Sequence, residues 1–159
     1  MNRIVLCGKA ASGKDHMRKI LESRGFTYGV SYTTRPPRPG ELAGVDYHFI
    51  SPDEFHALLK DEYWYEWVEF NGWYYATSNE QFTETCNLFI MTPHGVSLIK
   101  PEDRLTTTVI LLDIDQATRA ERLKGRSMPG DTMERRILAD ERDFANFSDY
   151  DIRITDSNF

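Results

Sequence analysis

Seven residues near the start of the chain, Gly8-Lys9-Ala10-Ala11-Ser12-Gly13-Lys14, have the types and spacing of an anion cradle. Two glycines with four residues between them let backbone N–H groups curl around a phosphate. A helix N-terminus behind them adds partial positive charge, and Lys14 would reach the β- and γ-phosphates of a nucleotide. The pattern carries this meaning only between a strand and a helix. Ile4-Val5-Leu6-Cys7 is a short apolar run, as in a strand buried on both faces. Met17, Ile20 and Leu21 fall at helical spacing over 16–24, with Gly25 as the C-cap. Gly8, Ala11, Ser12, Gly13 and Lys14 are therefore the expected phosphate ligands. An ordinary glycine-rich strand–helix turn is the plainer alternative, which the full motif in full context disfavours. The motif expects Ser or Thr next, and here stands Asp15. Its carboxylate is either a hard oxygen ligand for Mg²⁺ or a first-turn acid favoured by the helix dipole.

A second group of anion-handling residues lies in Thr33-Thr34-Arg35-Pro36-Pro37-Arg38-Pro39-Gly40. Three prolines forbid a regular helix or central strand and hold the two arginines on an ordered turn. Arginine suits bidentate contact with phosphate or carboxylate. The whole chain of 159 residues has 19 Lys+Arg against 25 Asp+Glu, and 13 of the 19 cations are Arg. A net charge of −6 argues against a nucleic-acid polymer as partner. It leaves room for small anions bound locally. Two cysteines, Cys7 and Cys86, make no disulfide framework, and no run reaches the ~20 apolar residues of a membrane helix. Met1 to Gly8 is too short for a signal peptide. A cytoplasmic protein with no membrane partner is expected.

The elements that must position these residues alternate between strand and helix. Ser51-Pro52-Asp53-Glu54 starts a helix with a capping box and Pro at its first position. Residues 63–76 are dense in aromatics, with Asn71-Gly72 as a hairpin turn. The stretch 31–78 thus reads as a small mixed insertion, with a strand over 47–50. Strands are expected over 87–92, 106–112 and 150–155, and helices over 93–99, 115–124 and 132–145, with Asp115 as an N-cap. Gly125 to Asp131 reads as a mobile loop. Alternation of this kind implies an α/β protein with a parallel sheet core.

The run Thr33-Thr34-Arg35-Pro36-Pro37-Arg38-Pro39-Gly40-Glu41, then Gly44-Val45-Asp46-Tyr47-His48-Phe49, resembles the guanylate kinase signature without a gap. With the phosphate loop and Glu66…Tyr74-Tyr75, the resemblance covers nearly the whole chain. It implies a P-loop NTPase fold with an inserted, mixed α/β nucleoside-monophosphate-binding subdomain and a helical lid. One domain over 1–159 would divide into a core of 1–30 and 79–159, an insertion of 31–78 and a lid at about 122–136. The resemblance implies that Arg35, Arg38, Tyr47 and Tyr75 hold the acceptor's phosphate. It also implies that Ser31, Glu66 and Thr77 read guanine. A carboxylate can accept both the N1–H and the 2-amino group, a donor pair that adenine lacks. Thr92 stands where the family has a base-reading Asp, which puts base selectivity and part of the Mg²⁺ shell in question. Arg122, Arg126 and Arg136 match lid arginines that neutralise charge on the transferred group. Arg119, Arg135 and Arg142 read as a solvated helix face. The family's last helix has no counterpart before Phe159, as expected of a minimal, viral-type member, and Thr155 to Asn158 would form the loop near adenine.

The expected reaction is ATP-dependent phosphorylation of GMP or dGMP, with Mg²⁺ as cofactor, by a monomer or small homo-oligomer. A broader deoxynucleoside monophosphate kinase is the nearest alternative. A ribose bisphosphate kinase could carry Asp15 but would lack the signature. An inactive binding module of the same fold would have degraded Lys14 and the lid arginines.

Overall fold

The computed structural model describes residues 1–124 and 132–159. The expected loop over 125–131, with Arg126, lies outside them. Strand β1 (Arg3–Gly8) is followed by α1 (Lys14–Ser23), which starts two residues before the apolar periodicity does because Gly13 provides the turn into it. Its end is a Schellman motif: Gly25 at φ 97° donates to the Glu22 carbonyl, and Phe26 donates to that of Leu21. The insertion contributes β2 (Tyr32–Thr33), β3 (His48–Phe49), α2 (Pro52–Lys60), β4 (Trp64–Phe70) and β5 (Trp73–Ser78). The return path is β6 (Leu88–Ile90), α3 (Pro93–Ser97), α4 (Pro101–Arg104), β7 (Thr107–Leu112), α5 (Gln116–Leu123), α6 (Met133–Phe144) and β8 (Ile152–Ile154).

These strands form two sheets. The first is parallel throughout, in the order β6-β1-β7-β8. Val5, Leu6, Val109 and Leu112 are fully enclosed in it, as the continuous apolar runs require. The second, in the order β3-β2-β5-β4, is mixed: β2 and β3 are parallel and the other pairs antiparallel. All its strands lie between residues 32 and 78. Asn71 and Gly72 have φ of 55° and 86°, the positive pair a two-residue hairpin needs. One face of this sheet packs on α2, where Phe55 stacks on Tyr74 and Trp64 at 4.3 and 5.6 Å. The other face carries Thr33, Glu66, Val68, Tyr75 and Thr77, because directly opposed residues share a face.

Three of the expected helix starts have their caps in place. Ser51 accepts from the Glu54 N–H, Asp115 from Thr118 and Thr132 from Arg135. The expected strands over 87–92 and 150–155 shorten to β6 and β8, since Thr92 turns out of the sheet to cap α3. A π-helical turn over Gln81–Thr85 and the short α4 were not foreseen.

Candidate active site

The phosphate loop has the geometry its glycines imply. A Cβ on Gly8 would stand 2.4 Å from Ser12 Oγ and 2.9 Å from the Leu112 carbonyl oxygen. Gly13 (φ 96°) and Ala11 (φ 60°) are both left-handed. Ser12 Oγ is buried and has no hydrogen-bond partner among the described residues. Lys14 folds back on the loop, its Nζ donating to the carbonyls of Gly8 and Lys9 at 2.5 and 3.2 Å. Burial pushes its ammonium below the usual lysine range, opposed by the charge of Asp140. The same burial pushes the Cys7 thiol up to about 12, so Cys7 is an inert core residue.

Asp15 has a cation near each of its carboxylate oxygens. Its Oδ1 pairs with Arg18 one turn on, at 2.8 Å, and its Oδ2 lies 3.7 Å from Lys19. Arg18 is buried, also pairs with Glu22, and lies over the Tyr28 ring at 4.6 Å. Asp15 is thus a first-turn acid that pairs with a buried cation through Oδ1, with its carboxylate more than half exposed.

The acceptor-side residues converge. Arg35 is almost wholly buried and makes a two-pronged pair with Glu41, Nη1 to Oε1 at 2.8 Å and Nη2 to Oε2 at 3.0 Å. Its guanidinium carbon sits 5.0 Å from the centre of the Tyr47 ring, and Tyr47 meets Tyr75 edge-on at 6.0 Å. Burial acts to raise Glu41, and the Arg35 hydrogen bond overrides it, holding the carboxyl below its ordinary range. Burial raises Tyr47, and pushes Tyr75 up to about 12, against the pull of Arg35 and Arg38 on each. Both phenols therefore stay protonated donors. Arg35, Tyr47 and Tyr75 are thus clustered, with the charge of Arg38 acting on both phenols.

Beside them on the same sheet face, Thr77 donates to Glu66 Oε1 at 2.7 Å, both side chains buried. Burial pushes Glu66 up to about 7, which the Thr77 hydroxyl only partly opposes. Ser31 is buried at the end of the adjoining strand β2. Glu66 Oε2 lies 3.2 Å from where a Cβ on Gly95 would be, so α3 of the core closes against this carboxylate. Thr92 is beside it, and its hydroxyl accepts from the Gly95 N–H at 3.0 Å as the N-cap of α3.

On the lid side, Arg122 reaches the phosphate loop. Its Nη1 donates to the Ala11 carbonyl at 3.0 Å and its Nη2 to that of Ser157 at 3.3 Å. The expected 155–158 loop thus lies against this arginine. Arg136 is buried on α6. Arg119 is not a solvated residue: it is buried and donates Nε to the Ile114 carbonyl at 3.0 Å. It and Leu123, one turn later, form the inward stripe of α5, a spacing that could have revealed it. Arg135 is exposed as expected, yet donates to the Asn71 carbonyl of the β4–β5 hairpin at 2.7 Å and lies 5.3 Å over Trp73. Asp140 of α6 accepts from the Ala10 N–H of the phosphate loop at 2.9 Å, a contact absent from the sequence reading.

A phosphate loop between the first strand and helix of a parallel sheet, faced by a second sheet that gathers arginines and tyrosines, defines an α/β phosphate-loop kinase. Sequence comparison narrows the class. A family model for guanylate kinase matches residues 1–159. The chain belongs to the guanylate kinase family, whose members are nucleoside monophosphate kinases. It is 29% identical to the guanylate kinase of Thermosynechococcus vestitus, across 98% of this chain and 85% of that one. It is 31% identical to that of Sulfurimonas denitrificans, across 98% and 80%. The crystal structure of guanylate kinase from Anaplasma phagocytophilum shares the fold, with a TM-score of 0.74 at 22% identity over 98% of this chain and 76% of that one.

Proposed function

We propose that this chain transfers the γ-phosphoryl group of ATP to GMP or dGMP, giving ADP and the nucleoside diphosphate. The observation that carries this reading is the buried Glu66–Thr77 pair set beside the Arg35, Tyr47 and Tyr75 cluster on one sheet face. A purine with adjacent N–H donors fits the carboxylate, and its phosphate fits the cations. Ser31 would complete the base pocket, and Arg38 the phosphate shell.

On the donor side, the backbone N–H groups from Gly8 to Lys14 would hold the β-phosphate, with Lys14 leaving its carbonyl partners to reach the γ-oxygens. Arg122 stands close enough to follow it, and Arg126 and Arg136 complete the expected lid. Attack by the acceptor phosphate is in line and needs no covalent intermediate, so positioning and charge neutralisation carry the rate. Mg²⁺ suits this site as an ion held mainly by ATP's own oxygens. Among the described residues no three His, Cys, Asp or Glu side chains converge as a ligand set, and Asp15 is engaged by Arg18. Bound there, the ion would supply positive charge to neutralise the phosphates, with Asp15 as the side chain expected to help hold it. We take the chain as one such unit with the insertion at 31–78 and the lid at about 122–136, acting in the cytoplasm. Among the described residues no helix is long and apolar enough to cross a membrane.

A second reading, a kinase of broader base range, is favoured by Thr92, whose hydroxyl caps α3 where the family reads the base with a carboxylate. Coupled ADP release with GMP, dGMP, dTMP, AMP, CMP and ribose 1,5-bisphosphate separates the readings. Turnover confined to the guanine nucleotides supports the first; comparable turnover of dTMP or CMP supports the second. No turnover of any acceptor refutes both.

A further inference from the structure

A titratable side chain outside the proposed mechanism reaches into the donor site. Asp140 is 4% exposed, and its Oδ2 accepts from the Ala10 N–H at 2.9 Å. Ala10 is inside the loop whose N–H groups bind phosphate, so a carboxylate from α6 holds one of the cradle's own donors. The charges acting on Asp140 are those of Lys14, Arg119 and Lys9, of which Lys14 and Lys9 belong to the phosphate loop itself. The acid Asp143, one turn later on α6, faces His94 from α3 and Asp140 itself, and its Oδ2 is buried with no partner among the described residues. The helix that carries Asp140 is anchored at its other end by Arg135 on the Asn71 carbonyl.

We propose that Asp140 is an internal stand-in for the donor's terminal phosphate: it latches α6 to the phosphate loop, and ATP must displace it to bind. This rests on the phosphate loop being the ATP site. The physical reason is like-charge exclusion. A carboxylate and a γ-phosphate cannot share one N–H donor and one set of cations in a buried site. Because Asp140 is enclosed, it leaves only if α6 shifts. Donor binding then releases the helix, and the shift is transmitted through Arg135 to the hairpin of the insertion. Asp140 is on this account a positioning residue that sets donor affinity by chain length.

Titration calorimetry on the full chain with ATP, ADP and AMP tests this, comparing wild type with Asp140→Asn. Asparagine keeps the acceptor for Ala10 and removes the charge. The variant is expected to bind ATP about tenfold more tightly, ADP less so, and AMP within about twofold. A structural clamp or a metal ligand predicts the opposite sign. Unchanged or weaker ATP binding by a folded variant therefore overturns the proposal while leaving the ATP site intact. Absence of ATP binding by both proteins refutes the donor site itself and this inference with it. Should the variant not fold, hydrogen exchange of wild type with tripolyphosphate decides. Loss of protection over 133–144 supports displacement, and unchanged or increased protection overturns it.

Discussion

Glu66 offers the sharpest test of the base site, because its environment makes a quantitative demand on pH. It is enclosed, and the Thr77 hydroxyl that donates to it at 2.7 Å is neutral. Burial carries its pKa from 4.5 to about 7. The folded protein therefore binds more protons than the unfolded chain between those values. Stability from this group is full below 4.5 and is lost as pH rises through about 7. The size of the loss is about 3 kcal/mol, from about 1.4 kcal/mol for each tenfold step in proton affinity. Glu66→Gln keeps the acceptor for Thr77 and removes the titration. Urea unfolding of both proteins without nucleotide, at pH 5, 7 and 8.5, should show the variant gaining on wild type by about 2.5 kcal/mol across the range. Groups common to both cancel in the difference. GMP should reverse the situation, since the guanine N1–H and amino donors favour the carboxylate. Its binding to wild type should release protons near pH 6.5, measurable by calorimetry in two buffers of different ionisation enthalpy, and Glu66→Gln should remove the part that comes from Glu66, leaving only that of the GMP phosphate. A stability difference flat with pH would show that Glu66 is solvated or already paired. Equal proton release by both proteins would show that it does not read the base.

Three further outcomes are expected. Lys14→Met should leave the fold intact by circular dichroism and lower kcat by about 10³-fold or more in coupled ADP release, as the loss of a group that neutralises transition-state charge requires. Glu41→Gln should free Arg35 from its two-pronged partner and raise the KM for GMP by about tenfold with a smaller change in kcat, measured by initial rates. Phe55→Ala removes a fully enclosed ring stacked on Tyr74 and should cost about 3–5 kcal/mol in urea unfolding.

Features legible in the sequence were those set by chain-local physics. A glycine pair around four residues, an Asn-Gly turn, and Ser or Asp before a helix depend on φ and on N–H donors within a few residues. The phosphate loop, the β4–β5 hairpin and the caps of α2 and α5 stand where those signals put them. The illegible features depend on what a helix face meets. Arg119 and Asp140 lie in polar helices whose i, i+4 charges read as solvated. Yet each sits on the inward stripe, Asp140 in line with Met133, Ile137 and Phe144. A charge on an apolar stripe was the available signal. Its partner, the Ala10 N–H, is 130 residues away and has no trace in local pattern.

The cations that would handle phosphate already have oxygen partners in this structure. Lys14 holds the Gly8 and Lys9 carbonyls, Arg122 holds those of Ala11 and Ser157, and Arg35 holds the Glu41 carboxylate. An acidic chain can thus keep an arginine-rich site without leaving buried charge unpaired, which would cost several kcal/mol per ion. Nucleotide binding becomes an exchange of oxygen acceptors rather than the neutralisation of bare cations. Carbonyl acceptors are neutral and yield readily to a phosphate, whereas the carboxylates of Glu41 and Asp140 are charged competitors. The two differ in place. Glu41 holds its arginine from the side and can remain once phosphate arrives, because a guanidinium has five N–H donors. Asp140 takes a single N–H that has no second valence to offer. Substitution at Glu41 should therefore weaken acceptor binding, while the matching substitution at Asp140 should strengthen donor binding, and that opposition of sign follows from the number of protons on the group each carboxylate holds.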